Sequence, residues 1–185
     1  AAWKQAARAE FAGTSQHLHY ANAMLDMVKA FERVPHDWLV AQGRRYCYPM
    51  LVLRLSIAAY KLGRVITIEG VCSVILFATR SITAGAVHAT IELRLLLIQF
   101  MDETAALFRP AACITLYVDD TSFEASGPYE YVKAAVIGAT QYFTDALVDG
   151  GMEFSATKNV VLAFSMTLAR AIADGLSNLH IQTAR

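Results

Sequence analysis

Ala112-Cys113-Ile114-Thr115-Leu116-Tyr117-Val118 runs into Asp119-Asp120 and then into Thr121-Ser122-Phe123-Glu124-Ala125. The first seven residues form an apolar, β-rich run. Ser122–Ala125 has strand composition again, so the pair predicts an antiparallel hairpin with Asp119-Asp120 at its tip. Directly afterwards, Ser126-Gly127-Pro128 opens the clearest helical segment of the chain. Val132, Val136, Ala139, Phe143 and Leu147 recur on one face, and Gly150-Gly151 stops it. Hairpins intermixed with helices, without a regular βαβ repeat, predict an α+β fold.

Outward from this stretch, the N-terminal side reads as a short helix within Ala1–Ala12 and a strand over Leu18–Leu25 that ends at Asp26. Helices follow over His36–Tyr46 and Met50–Leu62, the second closed by Gly63. Val65–Ile68 and Cys72–Thr79 predict a hairpin around Glu69-Gly70-Val71, and Val87–Leu107 a helix before Pro110. On the C-terminal side, Met152–Phe154 and Val160–Phe164 are short strand candidates, followed by a helix near Thr167–Leu176. No linker, repeat or low-complexity tract interrupts the chain, which predicts a single domain over residues 1–185.

Composition narrows the classes. The 185 residues carry 16 Lys+Arg against 16 Asp+Glu, and 56% are hydrophobic. That excludes a disordered chain, which needs low hydrophobicity and high net charge. Cys47, Cys72 and Cys113 are odd in number and lack a CxxC pair, so a disulfide scaffold is excluded and buried thiols in a reducing, intracellular compartment are expected. A mean hydropathy of +0.37 raises the question of a membrane span. Arg54, Glu69 and Arg94 break the best apolar stretches too early, so no transmembrane span is expected. The N-terminus lacks a signal-peptide pattern and an initiator Met, which reads as a processed chain or a fragment.

Tyr117-Val118-Asp119-Asp120 places adjacent carboxylates after an apolar strand, where a hard divalent cation with oxygen ligands relieves their repulsion. A solvated turn gives the same four residues. A second segment, Leu25-Asp26-Met27-Val28-Lys29-Ala30-Phe31-Glu32-Arg33-Val34-Pro35-His36, resembles catalytic motif A of reverse transcriptases, particularly those of non-LTR retrotransposons and group II introns. Tyr117–Asp120 is similar to that family's motif C. Arg80-Ser81-Ile82-Thr83-Ala84-Gly85 resembles motif B, and Gly151-Met152-Glu153-Phe154-Ser155-Ala156-Thr157-Lys158 resembles motif D. The four occur in the family's order, and the likeness spans about Leu18 to Phe164.

The resemblance implies a polymerase-palm fold, an antiparallel sheet backed by helices, and RNA-directed DNA polymerase (nucleotidyltransferase) activity with two Mg²⁺ ions. It implies Asp26, Asp119 and Asp120 as metal ligands, with the Met27 carbonyl as a further oxygen. It also implies Phe31 beneath the nucleotide sugar, Gly85 in the loop beside the templating pair, and Lys158 as a proton donor or fixed charge near the leaving pyrophosphate. Two-metal phosphoryl transfer needs carboxylates from separate strands converging on ions about 3.5–4 Å apart, so the strand that ends at Asp26 is expected to lie beside the Cys113–Val118 strand. The implied partners are an RNA template, a DNA primer and a dNTP, in the nucleus or cytoplasm. His36 reads as structural, and His17 with His19 as too few ligands for zinc.

Two positions depart from the family: Ala84 replaces Gln before the Gly, and Ser155 replaces Asn. With 25 residues before Asp26 and few after motif D, fingers and thumb are expected to be lacking, so the isolated chain is expected not to extend a primer. The other reading is a catalytically dead, palm-derived structural or interaction subunit of a larger assembly, with a membrane-associated assembly as one version of it.

Overall fold

A computed structural model describes residues 2–15 and 18–184; His17 lies outside them. The chain divides into two compact units, Ala1–Val28 with Gln99–Arg185, and Lys29–Ile98.

The first unit is built on a five-stranded sheet in the order β4-β5-β1-β6-β7. Its strands are β1 (His19–Leu25), β4 (Cys113–Tyr117), β5 (Asp120–Gly127), β6 (Val160–Ala163) and β7 (Gln182–Ala184). Every pairing is antiparallel except β6 with β7. Strand alternation sends successive side chains to opposite faces and so sorts β5 cleanly. Phe123 meets Phe143 of α5 (Tyr129–Asp149), with ring centroids 5.4 Å apart. The expected α5 stripe of Val132, Val136, Ala139, Phe143 and Leu147 is wholly buried. Gly151, at φ +84°, takes the left-handed conformation that ends the helix, and its N–H donates to the Val148 carbonyl. Helix α6 (Met166–Gly175) starts on Ser165, whose hydroxyl accepts the Leu168 N–H.

Ser122 and Glu124 point to the other face, where α1 (Ala2–Ser15) lies. Gln5 donates to the Ser122 hydroxyl at 2.6 Å, and Arg8 pairs with the buried Glu124. Tyr20 of β1 donates to the second Glu124 oxygen at 2.7 Å, so both oxygens of this buried carboxylate are held. Burial, and then the bond to Glu124, raise the Tyr20 phenol well above its ordinary value.

The second unit holds α2 (His36–Arg45), α3 (Met50–Tyr60) and the hairpin of β2 (Thr67–Ile68) with β3 (Val71–Cys72), extended by a bridge between Arg64 and Leu76. Helix α4 (Ala89–Phe108) begins here and continues into the first unit.

The fold is α+β, with a mostly antiparallel sheet backed by helices. Several details differ from expectation. The Asp119-Asp120 tip is shifted by one residue: the turn is Val118-Asp119, and Asp120 already pairs with Tyr117 as the first residue of β5. Met152–Phe154 contributes only the bridge between Met27 and Phe154. Strand β7 was not anticipated. Cys47, Cys72 and Cys113 are exposed, not buried: Cys47 lies in the turn after α2, Cys72 sits on the open hairpin, and Cys113 lies on the edge strand β4. Among the described residues no helix is long and apolar enough to cross a membrane.

Candidate functional site

Strand register brings the acidic residues of two distant segments together. Leu25, the last residue of β1, pairs with Thr121 of β5, so the next position on each chain puts Asp26 alongside Asp120. The alternation that carries Tyr20, Asn22 and Met24 to the α1 face carries Asp26 with them; Asp120 follows Ser122 and Glu124. Strand β1, which leads to Asp26, is therefore beside β5. It was expected beside the strand that leads into the acidic pair, but that strand, β4, is one position further out. The order follows from the tight turn, because β5 returns between β4 and β1.

The two aspartates line a cleft of about 620 Å³ with Met24, Thr115, Tyr117, Ser122, Gln5 and Lys158. Lys158 Nζ stands 3.5 Å from Asp26 Oδ2. Asp119 occupies the turn and is not among the cleft-lining residues, but its charge reaches Asp120. Burial raises the Asp120 carboxyl above the usual carboxylate range, the charges of Asp119 and Asp26 raise it further, and Lys158 opposes them. Among the described residues no three His, Cys, Asp or Glu side chains are grouped so as to hold a metal ion.

The turn itself is strained. Val118 has φ +61°, a left-handed conformation that suits glycine and is unfavourable for a β-branched residue. That turn sets how Asp119 and Asp120 leave the strand.

The backbone of Asp26 is clamped from the other side. Its N–H donates to Asn159 Oδ1 at 3.1 Å, and its carbonyl accepts from the Ser155 N–H at 2.8 Å. Asn159 is fully buried and donates its amide to the carbonyls of Ser155 (2.6 Å) and Leu179 (2.9 Å). Ser155, at the position where Asn was expected, accepts the N–H groups of Thr157 and Lys158 on its hydroxyl, closing the turn that presents Lys158. Asn159 is the functional residue that sequence reasoning missed. Its signal was a carboxamide placed directly between Lys158 and the apolar run Val160–Phe164.

Met27 is buried, and the bridge to Phe154 is bonded through its neighbours, Val28 to Glu153 and Ser155 to Asp26. In such a pair the residue's own N–H and C=O turn away from the partner. The Met27 carbonyl is thus on the β5 side of the strand. Phe31 and Gly85 belong to the second unit, where the Ile82 N–H donates to the Phe31 carbonyl at 2.7 Å. Gly85, at φ +84°, is required by its backbone conformation and not by crowding, since its surroundings are open.

No protein-family model matches the chain, and no curated protein matches it.

Proposed function

We propose that the chain is a polymerase-palm-like domain of the reverse transcriptase kind, whose nucleotidyl-transfer centre is the Asp26–Asp119–Asp120 cluster. The observation that carries this reading is the placement of Asp26 and Asp120 at adjacent strand ends, on one sheet face, in one cleft with Lys158.

On this reading the two cleft carboxylates, Asp26 and Asp120, begin a Mg²⁺ donor set that substrate phosphates would complete, since Mg²⁺ is commonly bound through one or two carboxylates plus phosphate oxygens. Hard carboxylate oxygens suit a hard cation, and Asp120 ionises reluctantly, first because it is partly buried and then because of the like charges of Asp119 and Asp26, which a cation would relieve. Asp26 and Asp120 would hold the ions, with Asp119 and the Met27 carbonyl as further oxygens. Bound Mg²⁺ supplies Lewis-acid activation of a primer hydroxyl and neutralisation of phosphate charge. The protein's own share is positional. Asn159 and Ser155 fix the Asp26 backbone, the Val118 turn aims the acidic pair, and the exposed Lys158 ammonium brings a positive charge to the cleft 3.5 Å from Asp26.

A test is dTTP incorporation on poly(rA)/oligo(dT) with fingers and thumb segments supplied. Mg²⁺-dependent extension that disappears in Asp26→Asn and Asp120→Asn is expected; extension surviving both substitutions overturns the reading. One observation favours the second reading, a structural or interaction subunit. The β2–β3 hairpin and the segment that follows it expose Ile68, Val71, Val74 and Phe77, each at least two-thirds exposed, and clustered exposed apolar side chains are a mark of interaction surfaces. Incorporation that stays absent with those segments supplied favours that subunit reading.

A further inference from the structure

The second unit contains a loop whose conformation is held against its own preference. Ser81 has φ +146°, within the region that residues with side chains rarely adopt. The side chain does not compensate: Ser81 Oγ is buried without a hydrogen-bond partner. What holds the residue is its peptide plane. The Ser81 carbonyl and the Ile82 N–H belong to one rigid planar unit, and both ends are bonded. The Ile82 N–H donates to the Phe31 carbonyl at 2.7 Å. The Ser81 carbonyl accepts from His36 Nε2 at 2.8 Å, and since a carbonyl only accepts, Nε2 carries the proton.

His36 is built for this contact. It is the first residue of α2, buried, and stacked against Tyr60 at 6.5 Å between ring centroids. Its Nδ1 has no partner, so the bond to Ser81 is the polar role of the ring in this fold. Downstream, Arg64 Nη2 donates to the Thr83 hydroxyl at 2.7 Å and to the Tyr60 carbonyl at 3.2 Å, tying the loop to the hairpin base and α3. As a result Ser81 and Ile82 are buried while Ala84 and Gly85 are exposed.

We propose that His36 is a positioning residue that clamps the Ser81–Ile82 peptide plane, holds Ser81 in a glycine-like conformation, and so presents Ala84-Gly85 as a preformed backbone loop. Preforming a loop removes the ordering cost that its ligand would otherwise meet. The clamp lies wholly within the second unit and stands apart from the nucleotidyl-transfer reading. Neither metal nor nucleotide enters its test.

Amide hydrogen exchange on the full chain provides that test. In His36→Ala, exchange at Ile82 is expected to speed up about tenfold while Leu53 and Leu93, buried in α3 and α4, stay within about twofold. Ser81→Gly in the same chain is expected to restore Ile82 to within about threefold of the parent, because the strain that opens the loop is gone. His36→Gln, which keeps an N–H donor, is expected to retain most of the protection. Unchanged exchange at Ile82 in His36→Ala overturns the proposal. So does equal loss at Leu53 and Leu93, which would make the ring mere packing, and so does a loss that Ser81→Gly leaves in place. Should His36→Ala fail to fold, Ser81→Gly alone decides: slower exchange at Ile82 supports a strained Ser81, and faster exchange overturns it.

Discussion

At the level of single residues, Asp120 and Asn159 carry the most testable chemistry. The Asp120 carboxyl is raised above its unfolded value, so the folded chain binds that proton more tightly than the unfolded chain. Stability from this group is therefore present at low pH and lost as pH rises from the ordinary carboxylate range through the raised value. Asp120→Asn removes the penalty. It is expected to melt higher than the parent near pH 7 and to show no such advantage near pH 3, as followed by thermal unfolding across that range. Asn159 acts in the opposite sense. Replacing it by Ala strands the Asp26 N–H and two carbonyls in a buried site, with an expected loss of about 2–4 kcal/mol in urea denaturation. A loss under about 0.5 kcal/mol, ordinary for a surface change, would show that water replaces the side chain.

Elements differ in how much of them the sequence discloses, and particular residues explain why. Helix α5 was legible because five apolar residues repeat at helical spacing and all five are buried. Strand β5 was legible as a strand, yet its start was misplaced by two residues. Acidic residues ordinarily mark turns, whereas here Val118 enters the turn at positive φ and Asp120 joins the ladder. Strand β7 carried no signal: Gln182-Thr183-Ala184 is short, weakly apolar and defined only by its parallel pairing with β6. The site divides in the same way. Asp26, Asp120 and Lys158 were readable as a motif set, but their union depends on register, which no local pattern specifies. The turn offers its own check. Val118→Gly is expected to stabilise the chain by about 1 kcal/mol, since relief of left-handed strain exceeds the added unfolded-state entropy. Destabilisation in a thermal melt would mean that the Val118 side chain contributes packing worth more than the strain.

For the molecule as a whole, each unit has its own signature. On one sheet face the first unit carries Glu124, neutralised by Arg8 beneath α1, and the Asp26–Asp120 pair, left to Lys158 and solvent. The second unit projects an apolar hairpin with Ile68 at 68% and Val74 at 79% exposure. Replacing both by Lys is expected to lower self-association in light scattering while shifting unfolding by less than about 1 kcal/mol. A larger shift would place those side chains in a packed contact. The central claim concerns the acidic cleft, and the most direct measurement of it is Mn²⁺ binding followed by water-proton relaxation. The account predicts saturable binding by the parent chain that weakens at least about tenfold in the Asp26→Asn, Asp120→Asn double variant. Equal binding by the two proteins would contradict it.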